Sequence, residues 1–281
     1  MPKKHRLDAD DLDWLDSNPV DLDGPPSGDR WSTWDLSTPT ERGPEPRPGW
    51  LVTELAAVDT ELGILKTGKE ADVHLISRGV PDTDRVCLLA AKRYRSSDHR
   101  LFHRDSGYLE GRRMRDSRAA RAMSSRTAFG KQVIAGQWAQ AEFSALVRLW
   151  ELGLPVPYPV QILGTEILQE FVGTPDGYAA PRLATVDEGL DDLWEQLVEA
   201  MVVLSREGLA HGDLSPYNLL VDEGRLVIID LPQIVDVIAH PTGPDFLDRD
   251  ARNVATWFAH KGLPVSPDTL SHLLRTEAGL T

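Results

Sequence analysis

The chain has 281 residues, of which 41% are hydrophobic, so it can build one large domain or one bilobed domain with a real core. Its net charge of −14 disfavours non-specific binding of nucleic acid or membrane by the chain as a whole. The single cysteine, Cys87, excludes an intrachain disulfide and a cysteine-based metal cluster. No apolar run reaches about 18 residues, so we expect a soluble, cytoplasmic protein that does not bind a membrane.

Residues 1–48 contain eight prolines and many acidic side chains, without a sustained apolar period. This composition is typical of disordered segments, and we predict a disordered acidic leader over residues 1–48. Trp14, Trp31 and Trp34 leave two interpretations open. Such aromatic side chains occur scattered in solvated tails, but they also dock onto a partner or onto a folded domain.

Ordered structure is predicted from Trp50 onward. Short apolar or alternating runs between Gly, Pro and Asp residues predict strands at residues 62–65, 71–76, 86–94, 159–163, 165–171 and 226–229. Apolar residues at helical spacing predict helices at residues 134–152, 189–207 and 249–260. Five strands and one helix, followed mainly by helix, predict an α+β fold in two lobes.

Glu142 lies inside the apolar stripe of the first predicted helix. At about 100° per residue, Trp138 and Leu146 lie about 40° to either side of it. A buried carboxylate needs a cation or hydrogen-bond donors, and Lys92, after the apolar run VCLLAA, is the best candidate. The alternative is that Glu142 lies at the edge of the stripe and reaches water. A strand lysine followed by a helix glutamate is typical of kinases, which hold the phosphates of ATP in this way.

The stretch HGDLSPYNLLVDEGRLVIIDLPQ, residues 211–233, combines two acids and an amide. Asp213 and Asn218 have the D-x-x-x-x-N spacing of a kinase catalytic loop, and Asp230 follows the strand at 226–229. Asp213 could orient a substrate hydroxyl, while Asn218 and Asp230 offer the oxygen ligands that Mg²⁺ prefers. The alternative is a hairpin with ordinary turn and capping residues.

Several stretches together resemble the RIO atypical protein kinases, most closely the first RIO type. LKTGKEADVHLIS resembles the family's phosphate loop, AAKRY its lysine strand, and WAQAEFSALVRLWELGLPVPYPV its first helix and the turn that follows. HGDLSPYNLL resembles its catalytic loop, VIIDLPQIVD its metal-binding D-x-P-Q, and DFLDRDARNVATWF its C-terminal helix. The similarity spans roughly residues 60–260. Gln169 departs from it, because the family commonly has Met at that position.

The resemblance implies a bilobed kinase-like fold, with a small antiparallel-sheet N-lobe at 49–172 and a trimmed, mainly helical C-lobe at 173–281. It implies a serine/threonine protein kinase that uses ATP with Mg²⁺ or Mn²⁺ and phosphorylates itself and an unknown protein substrate. A phosphoaspartate on Asp230 would add an ATPase-like cycle.

The resemblance also assigns site residues. It implies Asp213 and Asp230 as catalytic residues and Asn218 and Asp230 as metal ligands. It implies cofactor-binding roles for the phosphate-loop residues, the lysine–glutamate pair and the hinge backbone, namely Thr67, Gly68, Lys69, Lys92, Glu142, Glu170 and Val172.

A basic segment interrupts the acidic chain, with a net charge of +8 between Lys92 and Lys131. We predict a basic, flexible loop at about 95–131, which either covers the nucleotide as a flap or binds RNA, a ribosomal particle or an acidic partner. Two further functions stay open. One is a small-molecule phosphotransferase of the aminoglycoside-kinase kind, against which D-L-P-Q and T-G-K-E-A argue. The other is a nucleotide-gated module that binds RNA or the ribosome.

Overall fold

A computed structural model describes residues 24–25, 27–95, 128–231 and 234–280. In residues 128–132 it describes the backbone alone. None of the helices in these ranges is long and apolar enough to cross a membrane.

The first lobe is built on an antiparallel sheet of six strands in the order β1-β2-β3-β4-β6-β5. The strands are β1 Arg30–Trp31, β2 Val58–Thr67, β3 Ala71–Gly79, β4 Val86–Tyr94, β5 Pro159–Leu163 and β6 Glu166–Glu170. Helix α1, Ala128–Glu151, joins β4 to β5 in sequence and packs against the sheet.

Both faces of the sheet are covered, which explains the continuous apolar run of β4. Leu89 and Ala91 face a cluster that includes Trp34 and Val52, which precede the sheet's main strands. Tyr94 faces the other way, into a cluster with helix α1 and the helical lobe. Strands buried on both faces read as unbroken apolar runs, because neither set of alternating side chains meets water.

The second lobe is mainly helical and carries two small strand pairs. Its helices are α2 Leu190–Arg206, α3 Gly243–His260 and α4 Pro267–Glu277, and its strands are β7 Leu209–Ala210, β8 Leu219–Asp222, β9 Arg225–Ile228 and β10 Val235–Asp236. Strand β7 pairs with β10, and β8 pairs with β9. The predicted bilobed, kinase-like α+β fold is therefore confirmed.

The helix predicted at 249–260 is observed as α3, which begins earlier, at Gly243. It is the last helix that the sequence predicts, but a further helix, α4, follows it. The sequence carries a signal for α4 in Ser266-Pro267. The Ser266 hydroxyl accepts a hydrogen bond from the Thr269 N–H at the helix N-terminus, and Pro267 occupies the first turn.

The prediction of a disordered leader is wrong for residues 27–48. Strand β1 pairs with β2, and Trp34 is buried, with 4% of its surface exposed. The guanidinium of Arg42 lies over the Trp34 ring and donates to the Trp34 carbonyl. The apolar area that Trp34 removes from water explains why a Pro-rich, acidic segment is ordered here. Residues 1–23, including Trp14, lie outside the described residues.

A buried polar network fixes this N-terminal segment to the sheet. Arg78 is fully buried on β3, and its guanidinium binds both carboxylate oxygens of Asp59 at 2.7 and 3.1 Å. Arg78 also donates to the Gln161 side chain at 3.0 Å, and Gln161 donates to the Thr33 hydroxyl at 2.9 Å. The hydrogen bonds of Arg78 and Gln161 therefore connect Thr33, and with it the Trp34 segment, to strands β3 and β5.

Replacing Trp34 by alanine should lower the free energy of unfolding by about 3 kcal/mol or more, the usual cost of deleting a buried aromatic side chain. Trp31→Ala is the matched control. Because Trp31 is 43% exposed, its removal should cost less than about 1 kcal/mol. Denaturant unfolding of the two variants measures both values. Equal losses would show that residues 27–48 do not depend on the Trp34 contact.

Candidate active site

A cavity of about 430 Å³ opens between the two lobes. Its walls come from β2, β3, β4, helix α1, the end of β6 with the segment after it, β8, and the residues that follow β9. Seven of the predicted site residues line it, namely Gly68, Lys69, Lys92, Glu142, Glu170, Val172 and Asp230. Thr67, Asp213 and Asn218 are not among the lining residues.

The Lys92 ammonium lies between two carboxylates that come from different parts of the fold. Its Nζ is 2.6 Å from Glu142 Oε1 on helix α1 and 2.8 Å from Asp230 Oδ1 beyond β9. Glu142 is buried, with 2% of its surface exposed, and its other oxygen accepts a hydrogen bond from the Tyr94 hydroxyl. The buried carboxylate in the helix stripe therefore has the cation that its burial requires.

Burial and charge shift the pKa values of Lys92 and Asp230 in opposite directions. Burial disfavours the Lys92 ammonium, but Glu142 and Asp230 outweigh it and raise the lysine pKa. Burial also opposes ionisation of Asp230, yet Lys92 and Lys66 lower the pKa of Asp230 to about 2. Burial and the Glu142 charge raise the pKa of Tyr94, so its hydroxyl keeps its proton and donates it. At neutral pH, Asp230 is an ionised carboxylate.

Asp230 also contacts a second lysine that the sequence reasoning did not select. Lys66, near the end of β2, places its Nζ 3.5 Å from Asp230 Oδ2. Asp230 itself has a backbone φ of 66°, in the left-handed region that few residues other than glycine adopt. The backbone turns sharply at this residue, directly after the β8–β9 hairpin.

The loop between β7 and β8 is held by hydrogen bonds within the HGD…N stretch. The Asn218 side-chain amide donates to the Asp213 carbonyl at 2.9 Å, which closes the D-x-x-x-x-N loop. The Asp213 N–H donates to His211 Nδ1 at 3.3 Å. Nδ1 must then be unprotonated, so His211 Nε2 carries the proton and donates to the Ile229 carbonyl at 3.2 Å. The loop therefore leaves the Asp213 carboxylate exposed.

Helix α3 supports the same loop through a buried acid that the sequence reasoning missed. Asp250 accepts hydrogen bonds from the Gly212 N–H at 2.7 Å and the Leu214 N–H at 2.9 Å. Its neighbours Arg249 and Asn253 donate to the carbonyls of Gly212 and Leu214. Burial raises the pKa of Asp250, although His211 and the two N–H donors oppose the shift. The helix thus fixes the backbone on both sides of Asp213.

The end of β6 and the segment that follows it present backbone groups to the cavity. The Glu170 N–H donates to the Tyr158 carbonyl at 2.9 Å, so a role for Glu170 in binding a base concerns its carbonyl oxygen. The Val172 carbonyl accepts from the Ala180 N–H at 3.0 Å, so a role for Val172 concerns its N–H. The Glu170 side chain is turned to the Tyr158 N–H, and burial raises its pKa.

The predicted phosphate loop is a tight turn between β2 and β3. The Gly68 N–H donates to the Ala71 carbonyl at 3.0 Å, and a Cβ at position 68 would lie 2.7 Å from that oxygen. Glycine is therefore required for this close approach. Lys69 is exposed and lines the cavity, whereas Thr67 is exposed outside it.

The side-chain oxygens of Asn218 and Asp230 suit a magnesium ion. The described residues contain no cluster of three or more His, Cys, Asp or Glu side chains able to hold a metal. Asn218 uses its amide nitrogen on Asp213, which leaves its carbonyl oxygen as an acceptor. Asp230 contributes an ionised carboxylate. Two protein oxygen ligands, completed by phosphates and waters, are a usual donor set for Mg²⁺.

A lysine–glutamate pair in a cavity between a sheet lobe and a helical lobe, with a D-x-x-x-x-N loop and a further acid, defines a kinase-like phosphotransferase. The family model of the RIO domain matches residues 89–270. The RIO-type serine/threonine-protein kinase Rio1 of Haloferax volcanii is 37% identical over 225 residues, covering 79% of this chain and 71% of that protein. The chain belongs to the RIO family of serine/threonine-protein kinases.

A second relative and a solved structure are also similar to the chain. The serine/threonine-protein kinase RIO1 of Caenorhabditis elegans is 34% identical over 207 residues, covering 72% of this chain but only 38% of that protein. The crystal structure of the Rio2 kinase–ADP/Mg²⁺–phosphoaspartate complex from Chaetomium thermophilum superposes with a TM-score of 0.50 at 19% identity. The match covers 79% of this chain and 67% of the Rio2 chain, and at this identity it supports the fold alone.

Asp250→Asn should lower the free energy of unfolding by about 2 kcal/mol, because an amide offers one acceptor oxygen to two buried N–H donors and places its own NH₂ against one of them. Amide hydrogen exchange at Leu214 should accelerate. Asp245→Asn is the control on the same helix, since Asp245 is exposed in its first turn and its substitution should cost about 1 kcal/mol or less. Unchanged exchange at Leu214 in Asp250→Asn would contradict the role of Asp250.

Proposed function

We propose that the protein is a RIO-type serine/threonine kinase that transfers the terminal phosphate of ATP, with Mg²⁺ or Mn²⁺, to a hydroxyl group. One observation carries the proposal: a single ammonium, Lys92, is held by Glu142 from the sheet lobe and contacts Asp230 from the helical lobe inside the cavity. This arrangement suits a site that holds phosphates above a metal ligand.

The residues would have distinct roles. The Glu170 carbonyl and the Val172 N–H are suited to the edge of the adenine, and the Lys92 ammonium to the phosphates, with Glu142 keeping it in place. Asn218 and Asp230 would hold the metal, which neutralises charge on the phosphates when bound. The exposed Asp213 carboxylate would orient the substrate hydroxyl and accept its proton.

The phosphate loop completes the proposed site. Gly68 and Lys69 line the cavity, and Thr67, the last residue of β2, lies beside it. The Gly68 N–H is already bonded to Ala71, so its contribution is the tight turn rather than a free donor. Lysine and backbone groups at such a turn suit an anionic ligand.

A second activity is supported by the state of Asp230. Its carboxylate is ionised and 31% exposed, and it lies beside two ammonium groups. An Asp230 oxygen could attack the terminal phosphorus of ATP, breaking the bond to the bridging oxygen and releasing ADP. Water would then cleave the acyl phosphate and restore the carboxylate, which makes one ATP hydrolysis. The Rio2 kinase of Chaetomium thermophilum forms a phosphoaspartate complex of this kind with ADP and Mg²⁺.

Asp213→Ala should lower phosphate transfer to serine and threonine by about 100-fold or more, since it removes the group that orients the hydroxyl. The measurement is incubation of the full chain with labelled Mg-ATP, followed by mass spectrometry. Asp192→Ala, an exposed acid on helix α2, is the control and should keep full transfer. Survival of both autophosphorylation and phosphate release in Asp213→Ala would disprove the kinase proposal.

The same labelled samples test the Asp230 activity. Acyl phosphate is released by hydroxylamine, whereas phosphoserine and phosphothreonine are stable to it. Hydroxylamine-sensitive label that disappears in Asp230→Asn supports the ATPase-like cycle. Label that is entirely stable would exclude it and leave the kinase activity. Turnover strictly dependent on an added small hydroxyl compound would instead favour the aminoglycoside-kinase alternative.

The partners and location are proposals from sequence. A protein substrate follows from the family, and RNA or a ribosomal particle is proposed for the basic loop at 95–131 because of its charge. Nearly all of that loop, residues 96–127, lies outside the described residues, so the flap alternative stays a prediction. A cytoplasmic location is likewise proposed, and cell fractionation would test it.

Reversing the charge of Arg112, Arg113 and Arg115 to glutamate should weaken RNA binding if the basic loop is the contact, because six units of charge are changed. Filter binding of a single-stranded RNA at two salt concentrations measures this. The control is reversal of Arg148 and Arg206, which lie on helices α1 and α2. Equal RNA binding by both variants would rule out the loop as the RNA contact.

A further inference from the structure

Lys66 occupies the cavity because of an irregularity in the sheet. The register between β2 and β3 shifts between Ile64 and Lys66. In a regular strand, residues two apart point to the same face, so Lys66 would point outward with Ile64, which is 63% exposed. Instead, Leu65 and Lys66 both line the cavity, next to Val73 of β3. Such a register shift interrupts the hydrogen bonding between β2 and β3, which costs stability. A role for Lys66 inside the cavity would account for this cost.

Two ammonium groups share the Asp230 carboxylate, but they are not equivalent. Lys92 approaches Oδ1 at 2.8 Å and is anchored by Glu142 on its other side. Lys66 approaches Oδ2 at 3.5 Å, and among the described residues Asp230 is the only acid paired with it. The Lys66 side chain is 39% exposed. Lys66 is thus the more loosely held of the two cations.

A divalent metal on Asp230 changes the balance of charge at this carboxylate. The metal would meet two ammonium groups at the same pair of oxygens, and like charges at this range repel. Lys92 would remain paired with Glu142, whereas Lys66 would lose its one described partner. An anion that enters with the metal supplies Lys66 with a new partner, and the terminal phosphates of a nucleotide are such an anion.

We propose that Lys66 is a phosphate-binding residue of the cavity: it pairs with Asp230 in the free protein and moves to the terminal phosphate of the nucleotide when Mg-ATP binds. This inference rests on the proposed ATP-dependent function. It adds to the predicted loop residues a lysine placed by the register shift, and it identifies the triphosphate end as the part of the ligand that Lys66 recognises.

The test compares three ligands in the presence of Mg²⁺: ATP, ADP and adenosine. Lys66→Met should raise the Kd of ATP by about tenfold, the usual effect of losing one charge-assisted hydrogen bond. The Kd of ADP should rise less, and that of adenosine should not change. Lys66→Arg, which keeps the charge, should retain most of the ATP affinity. Calorimetric titration of the full chain measures all three constants.

Lys261→Met is the matched control, because it removes one positive charge at the end of helix α3, where Lys261 pairs with Asp187. It should bind all three ligands as the unchanged chain does. If the Kd of ATP for Lys66→Met is equal to or lower than that for the unchanged chain, Lys66 only neutralises the charge of Asp230, and the inference is overturned. An equal loss for adenosine would also overturn it, by indicating a damaged fold. If the unchanged chain binds none of the ligands, the proposed function itself fails.

Discussion

The ion pair between Lys92 and Glu142 is the interaction on which the rest of the site depends. Glu142 is buried in the stripe by which helix α1 packs on the sheet, and a carboxylate there is costly without a cation. Lys92 supplies that cation from the central strand β4, so the helix and the sheet have one favourable relative position. The same Nζ reaches Asp230, which links this pair to the helical lobe. Packing of α1 and the geometry of the cavity are therefore set together.

Asp250 plays the corresponding part in the helical lobe. Like Glu142, it is an acid in the apolar stripe of a helix, beside buried Leu247, Ala251 and Val254. Its partners are backbone N–H groups rather than a lysine, and they belong to the loop that carries Asp213. In both lobes a buried carboxylate joins a helix to a functional segment. Each is stable because its hydrogen bonds offset the loss of water, and each positions a residue that faces the cavity or solvent.

The sequence predicts a contact correctly where a residue has a single physical requirement, as a buried carboxylate requires a cation or hydrogen-bond donors. The apolar run of β4 and the acid inside helix α1 could each be interpreted alone, and the structure brings Lys92 and Glu142 together as the pattern indicates. Asp250 meets the same criterion as Glu142, because its helical neighbours at i−3 and i+4 are also apolar. The helical periodicity of this segment is therefore a signal from which Asp250 could have been identified.

Other features depend on partners that are distant in the sequence. The order of residues 27–48 depends on Trp34 meeting β4 and β5, and composition alone describes a segment without that surface. The inward position of Lys66 depends on a register shift, which alternation along β2 does not reveal. Both misses arise from tertiary contacts that override a local pattern, one by ordering a polar segment and the other by turning a charged side chain inward.

The charges around Asp230 connect stability to ligand binding. Because its folded pKa lies near 2, below the ordinary value for aspartate, its ion pairs stabilise the free protein above about pH 4 and lose that effect as the pH falls towards 2. At neutral pH the carboxylate is therefore ionised and already satisfied by two ammonium groups. A metal can bind there only by replacing part of that interaction. The phosphates that accompany the metal offer the displaced ammonium a partner of higher charge, so metal and nucleotide binding should favour one another at this carboxylate.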